Sequence, residues 1–487
     1  MTRGDGTPAG SPTVAARVAG AVRPDWSRWQ VVQPEHRSLD RRRLVPWYAV
    51  FAAYAGVFAV LSGGGADRVW ALWATVGYVL AAVLAWRWRR LAGPLLVALA
   101  FALVAPTIWL ILRGPATADP IVVARSAVLL LRHGNPYLSA GQLATWQAYN
   151  PYLPAMTVFG LPWAFGLRGV LGDTRLWLAA ATVVLLAAAF WMGAPHRAEG
   201  CGACRRAAGW SAVFAVASPV LVLPLAVGIT DPPMIALTCL AFACVARSPR
   251  LPLVAGLAIG VACAMKATAW PALAVIAAML VARDGARVAA RFAAASLVTT
   301  AVLVAVTAPG LLSTPAGLLQ NTVLYPLGMT LHKTPAASPL PGHLLASTGS
   351  AGHLAAIGLL LAAALGVVVS LVVRPPADVR AAARRLAVAL ALMFLLAPAT
   401  RFGYFAYPVA LLGWSAMTGS DRAAKGPAGP AEPAVGTAAA APGDGPAAAA
   451  PPGPGRREMV RASVRRHLLP ERATPAGSDA GGPARTR

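Results

Sequence analysis

Long apolar runs separated by short polar, Arg-rich breaks organise this chain. A membrane-crossing helix needs roughly 20 predominantly apolar residues. Runs of this kind fall at 45–61, 69–86, 94–112, 174–193, 210–227, 232–246, 251–265, 268–282, 292–312, 353–373, 386–399 and 403–418. The pattern predicts an all-α polytopic membrane protein of about twelve transmembrane helices, with both ends of the chain on one side of the bilayer. Residues 1–44 lack the apolar core of a cleavable signal and read as a basic cytoplasmic segment. Residues 45–418 read as the transmembrane domain. Residues 419–487, rich in Pro, Ala and Gly, bury too little apolar surface to fold and read as a disordered cytoplasmic tail.

One apolar stretch does not fit a crossing helix. Residues 152–168, YLPAMTVFGLPWAFGLR, are interrupted by Pro154, Gly160 and Pro162. If they crossed, His196, Arg197, Arg205 and Arg206 would fall outside; lying on the outer face, they leave those residues inside. The second arrangement is expected. It makes residues 113–173 one long outer loop carrying surface helices, and about 313–352 a second.

Composition sharpens this picture. Only 12% of the residues are charged and 57% are hydrophobic, against about 25% charged in soluble domains, so a soluble enzyme is excluded. Five Cys in 487 residues exclude a disulfide scaffold. The net charge of +25 would suit a nucleic-acid binder, but its distribution argues for a bilayer instead. Of 42 basic residues, nine fall on the proposed outer side: Arg68, Arg113, Arg125, Arg132, Arg168, Arg175, Lys266, Lys333 and Arg401. This is the positive-inside asymmetry, so the bilayer is the expected partner and nucleic acid is not.

Carboxylates are scarce enough to take one by one. Between the first and last spans the outer side holds Asp67, Asp119, Asp173 and Asp231, and no Glu. Asp67, in GGGADR, reads as a turn residue beside Arg68, and Asp173 as the cap of the next helix. Asp119 and Asp231 share an Asp-Pro form. Each reads either as an N-cap with Pro at the first helical position or as a functional carboxylate at the outer rim. After Asp119, residues 120–132 read as an amphipathic helix with Arg125 and Arg132 on one stripe, ended by Gly134. Asn135-Pro136-Tyr137 follows, then Tyr149-Asn150-Pro151-Tyr152-Leu153-Pro154.

The basic candidates carry similar alternatives. Lys266, one of three Lys, marks an outer turn between two apolar stretches. It reads either as a charge that needs a partner or as a snorkelling side chain. Arg401, in PATRFGYFAYP, would hold a phosphate, pair with Asp231, or anchor the interface beside Tyr404 and Tyr407. His332 and Lys333 either contact substrate or belong to a solvated loop. Cys201 and Cys204, near His196, lack the second ligand pair of a structural zinc site. Gly256 and Gly260 form a small-xxx-small face suited to close helix packing.

The run D-x-x-V, L-x-x-G-N-P-Y, Y-x-P and P-x5-G-L-P, from Asp119 to Pro162, resembles the first outer loop of GT-C membrane glycosyltransferases, closest to the family 87 type. GLAIGVACAMKATAWP at 256–271 is similar to that family's G-x3-G-x5-K-x4-P stretch. Family members often carry Gly-Gln-x-Asn where this chain has Gly228-Ile229-Thr230-Asp231. The resemblance implies a GT-C-like fold and a polyprenol-phosphate-mannose-dependent mannosyltransferase of the bacterial plasma membrane, both termini cytoplasmic. It implies a polyprenyl-phosphate-sugar donor and a lipid or glycan acceptor. Asp119 takes the place of the family's general base, with Lys266, Arg401 and Arg125 as candidates for the donor phosphate. Asn135, Tyr137, Tyr149, Tyr152, Asp231, His332 and Lys333 are the candidate substrate contacts. No cofactor and no metal are expected, because the lipid phosphate leaves already charged and no Asp-x-Asp pair is present. The competing reading is a secondary transporter or lipid flippase that uses the same charges. Transporters place acidic residues within spans and show inverted repeats; here the carboxylates lie at span ends and no repeat is visible.

Overall fold

The computed structural model describes residues 41–87, 92–114, 116–193, 217–248, 251–313 and 315–417, all within one compact unit, Met1–Gly426. Most of the basic N-terminal segment, the Cys201/Cys204 pair with His196, the start of the span expected at 210–227, and the Pro/Ala/Gly-rich tail lie outside the described residues. Among the described residues the fold is all-α, and the single β-pairing is an isolated bridge between Ala337 and Thr400. The principal helices are α1 (Arg41–Leu61), α2 (Gly65–Arg87), α3 (Ala92–Leu112), α4 (Ala118–His133), α5 (Thr174–Gly193), α6 (Pro219–Val227) and α7 (Asp231–Arg247). They continue with α8 (Pro252–Met265), α9 (Trp270–Asp284), α10 (Ala286–Thr307), α11 (Ser350–Val373), α12 (Val379–Leu396) and α13 (Ala406–Met417).

Among the described residues seven of these are long and apolar enough to cross a membrane: α1, α2, α3, α5, α9 with the turn before it, α10 and α11. The chain is a multi-pass membrane protein. The other five of the twelve expected stretches carry α6, α7, α8, α12 and α13, which among the described residues are shorter or more charged. Burial sets α7 apart from the outer helices. Fourteen of its 17 residues are buried, so protein surrounds it on nearly every side, and a helix inside a bundle need not match the hydrocarbon thickness. By contrast α2 buries one face through Trp70, Ala74, Tyr78 and Ala81 and exposes Leu72, Val76, Val79 and Val83 on the other.

Two packing details show how the bundle tolerates its Pro and Gly residues. Pro106 inside α3 has no N–H, so the Ala102 carbonyl four residues back loses its helical donor, and the chain passes through a π-turn at Ala100–Val104. Trp70 Nε1 of α2 donates to that carbonyl instead (2.7 Å), as a low-dielectric interior requires. Gly77 makes this approach possible, since any Cβ there would collide with Phe101. Between α8 and α10, a Cβ on Gly256 or Gly260 would strike Phe292, Ala295, Ser296 or Thr299. This is the close packing that the small-residue spacing predicts.

The segments between helices gather at one end of the bundle, the site end. There Gly310 N–H donates to the Gly134 carbonyl (2.8 Å) and Leu153 N–H to the Met265 carbonyl (2.9 Å). Asn150 N–H reaches Asn321 Oδ1 (2.7 Å) and Thr117 Oγ1 the Val227 carbonyl (3.3 Å). At the opposite end arginines close the bundle. Arg283 grips the Val245 carbonyl, Arg380 the Ser415 carbonyl, and Arg385 the carbonyls of Ser370 and Arg374. Residues 152–168 form no crossing helix: a 3-10 stretch, Pro154–Gly160, runs into a single turn, Leu161–Ala164. Five residues of the 3-10 stretch are buried, and it packs on α4 so closely that a Cβ on Gly160 would meet the Val123 carbonyl.

Candidate functional site

The site begins with two helix starts. Both Asp-Pro sequences open helices, but neither Asp is the N-cap. Thr117 caps α4 with Asp119 in the first turn, and Thr230 caps α7 with Asp231 as its first residue. Neither helix start makes a side-chain capping hydrogen bond. The capping alternative is therefore set aside, and both carboxylates are released from local backbone duty. Asp173 does take the capping role expected of it: its Oδ1 accepts from Arg175 N–H (2.8 Å), and it pairs with the Arg175 guanidinium (2.7 Å). Gly228 (φ +80°) brings the two starts together, because a side chain there would strike Arg175 and crowd Pro120.

Asp231 is buried (2% exposed) and doubly hydrogen-bonded at one oxygen. Its Oδ1 accepts from Lys266 Nζ (2.5 Å) and from the Tyr407 phenol (2.8 Å). Thr268 Oγ1 lies 2.9 Å from the same phenol oxygen, which accepts its proton because its own hydrogen points at Asp231. The rings of Tyr404 and Tyr152 flank the Lys266 ammonium at 5.4 and 5.5 Å. Burial alone would push the Lys266 pKa down; Asp231, Tyr404 and Asp119 reverse this, and it lies above the ordinary lysine value. The snorkelling alternative fails here: Lys266 turns into the protein.

Asp119 and Arg401 form the opposite case. Both are half-buried, and neither side chain makes a hydrogen bond or an ion pair with the described residues. Arg401 therefore does not pair with Asp231. A backbone clasp holds its segment: Thr400 N–H donates to the Ala336 carbonyl (2.9 Å), Ser338 N–H to the Thr400 carbonyl (3.0 Å) and Phe402 N–H to Ser338 Oγ (3.1 Å). Burial works against the guanidinium charge, but Tyr404, Asp119, Tyr152 and Asp231 outweigh it and raise its pKa. The same field links Arg401 to Asp67 at the start of α2. Asp119, Asp231, Lys266 and Arg401 thus share one electrostatic neighbourhood.

The first loop supports this neighbourhood through its aromatic and amide side chains. Asn135 Oδ1 accepts from Tyr137 N–H (3.0 Å), and the buried Tyr137 phenol donates to the Tyr152 carbonyl (2.8 Å). Tyr152 is buried beside Lys266, and burial together with the Asp119 charge keeps its phenol protonated. Its hydroxyl adjoins that of Thr230, which is fully buried with no well-formed hydrogen bond. Tyr149 stacks on Tyr325 with ring centres 4.3 Å apart. Arg125 donates to the carbonyls of Gln147 (2.7 Å) and Ala148 (2.8 Å), so it holds the loop backbone and no contact joins it to Lys266 or Arg401. His332 and Lys333 are likewise not drawn into the cluster: Lys333 is exposed, and the His332 carbonyl accepts from Thr330. Sequence reasoning gave no weight to Thr230, Thr268, Tyr325 or Asn321 and considered Tyr404 and Tyr407 only as interface anchors beside Arg401, one of three alternatives for that segment. The one signal available was the density of Tyr around Arg401 in RFGYFAY.

A helical membrane bundle with a cluster of opposed charges beneath aromatic loops at one end defines the class. The sequence model of glycosyltransferase family 87 matches residues 150–398, just over half of the chain, and the chain belongs to that family: it is a membrane glycosyltransferase. No curated protein and no solved structure matches it. The match contains Tyr152, Asp231, Lys266 and Tyr325; it begins after Asp67 and Asp119 and ends just before Arg401. Membership sets aside the transporter reading.

Proposed function

We propose that this glycosyltransferase moves a hexose, mannose by family resemblance, from a polyprenyl-phosphate donor to a hydroxyl of an extracytoplasmic lipid or glycan acceptor. The site end faces the outer leaflet of a bacterial plasma membrane in this reading. Asp119 is the general base. As the acceptor oxygen bonds to the anomeric carbon, Asp119 takes its proton. The bond from that carbon to the phosphate oxygen breaks, and polyprenyl phosphate leaves with the electron pair. A single displacement inverts the anomeric centre.

The leaving phosphate carries its own negative charge, so the step asks for cations rather than a general acid. Arg401 is the principal phosphate contact and Lys266 the second, with two ammonium hydrogens left after Asp231 has taken one. Neither a metal nor a cofactor is required by this scheme, and transfer is expected to persist in a chelator.

The observation that supports this reading best is the Asp119 carboxylate, half-buried and without a hydrogen-bond partner among the described residues, in the field of Arg401 and Lys266. Such a group is free to accept a proton. The test is transfer of labelled sugar from polyprenyl-phosphate-mannose by membranes carrying the protein. Asp119→Asn is expected to lower kcat on the order of 10²–10⁴-fold with unchanged expression and thermal stability. Retained transfer would remove Asp119 from the chemistry.

A further inference from the structure

The contacts of Lys266 close on themselves. Lys266 bonds Asp231 Oδ1, Tyr407 bonds the same oxygen, and Thr268 bonds Tyr407. Thr268 lies two residues beyond Lys266 in the short linker, Lys266–Ala269, between α8 and α9. The circuit thus joins the first residue of α7, that linker and the start of α13. Leu153 N–H, bonded to the Met265 carbonyl, fixes the linker from the first loop and sets Tyr152 against the ammonium. The side chain of Lys266 keeps 12% exposure and that of Asp231 2%, so the lysine is the more accessible partner of the pair.

We propose that Tyr407 and Thr268 are positioning residues: through Asp231 they hold the Lys266 ammonium at the place where the donor's phosphate binds. This rests on the reading of the site given above. A lysine has four side-chain torsions and is a poor fixed charge unless something orders it. Asp231 alone would anchor one N–H and still allow its own carboxylate to turn. A second donor on the same Oδ1 removes that freedom, and Thr268 ties the second donor to the linker that carries Lys266. Tyr407 and Thr268 need not touch substrate.

Tyr407→Phe removes one hydroxyl and keeps the ring. The expected result is a donor KM raised about fivefold to tenfold, the effect of one lost hydrogen bond, with kcat within about twofold and the acceptor KM unchanged. Thr268→Val is expected to shift the donor KM the same way by less, and Thr268→Ser, which keeps the hydroxyl, to restore it. Binding of polyprenyl monophosphate, followed by thermal shift of the purified protein in nanodiscs, gives a readout without turnover. Tyr407→Phe should need about fivefold to tenfold more lipid for half the shift.

Wild-type donor KM and lipid affinity in Tyr407→Phe would overturn the proposal, as would a fall in kcat at unchanged donor KM. If the wild-type protein neither binds the lipid phosphate nor transfers from its glycosylated form, the reading of the site fails and this inference with it. Transfer that depends on Asp119 but not on Tyr407 overturns the inference alone.

Discussion

Asp119 and Asp231 reach the same rim from helices that open almost alike, Thr-Ala-Asp-Pro in α4 and Thr-Asp-Pro-Pro in α7. Their surroundings are opposite. Asp231 starts a helix buried on nearly all sides, and Lys266 and Tyr407 bind it. Asp119 starts a helix that buries one face only, through Val122, Val123, Ser126 and Ala127, and its carboxylate has no bonded partner among the described residues. A buried carboxylate must be compensated or it neutralises, whereas a half-buried one can remain a free acceptor. One Asp is thereby committed to holding a cation and the other left available for a proton. The cations divide the same way: Lys266 is paired and Arg401 is not.

Removing each carboxylate should make the contrast measurable, with the largest stability change at the engaged one. Asp231→Ala leaves the Lys266 ammonium uncompensated in a site where its side chain is 12% exposed. Breaking a buried pair by removing one partner costs about 3–5 kcal/mol. Thermal unfolding in detergent should show that loss, and adding Lys266→Met should recover most of it. Asp119→Ala should leave stability within about 0.5 kcal/mol of wild type. If the two Ala variants unfold at the same temperature, the division between an engaged and a free carboxylate is wrong.

This contrast marks where sequence stops being informative. Apolar runs located the principal helices among the described residues, and Gly256, Gly260 and the Gly134 helix end did what their residue types imply. Gly134 takes the left-handed backbone (φ +65°) that ends α4. Asp119, Asp231, Lys266 and Arg401 were legible as candidates because charge near a bilayer is costly and these are few. Which charge pairs with which was not legible. The Asp231–Lys266 pair spans 35 residues and Tyr407–Asp231 spans 176, and both depend on how α7, α8 and α13 pack. Asp67 read as a plain turn residue, and only the packed bundle sets it within the field of Arg401.

The geometry that keeps the two helix starts in one neighbourhood runs through Gly228. A Cβ there would need a left-handed backbone unfavourable for L-residues and would strike Arg175 and crowd Pro120. Gly228→Ala is expected to cost about 1–3 kcal/mol. Because relief requires Pro120 or Arg175 to move, it should also separate Asp119 from Lys266 and lower transfer more than a stability loss of that size explains. The measurement is specific activity of the folded fraction, scored at a temperature well below unfolding. Full activity there would mean that the two starts need not be held together.

The smallest effect concerns Arg125, which lies on α4 with Asp119 but whose guanidinium turns to the loop backbone. Two of its donors are spent on the Gln147 and Ala148 carbonyls, immediately before the Tyr149–Tyr152 segment that ends beside Lys266. Arg125→Gln keeps a donor and loses the fork. In a partly exposed setting the expected loss is about 1 kcal/mol, confined to the loop. Amide hydrogen exchange should therefore rise across 143–152 while the donor KM shifts little. A donor phosphate contact predicts the reverse: unchanged exchange and a donor KM raised about tenfold or more, as loss of a charge-assisted hydrogen bond does. The two outcomes decide whether Arg125 belongs with the engaged cation or with the free one.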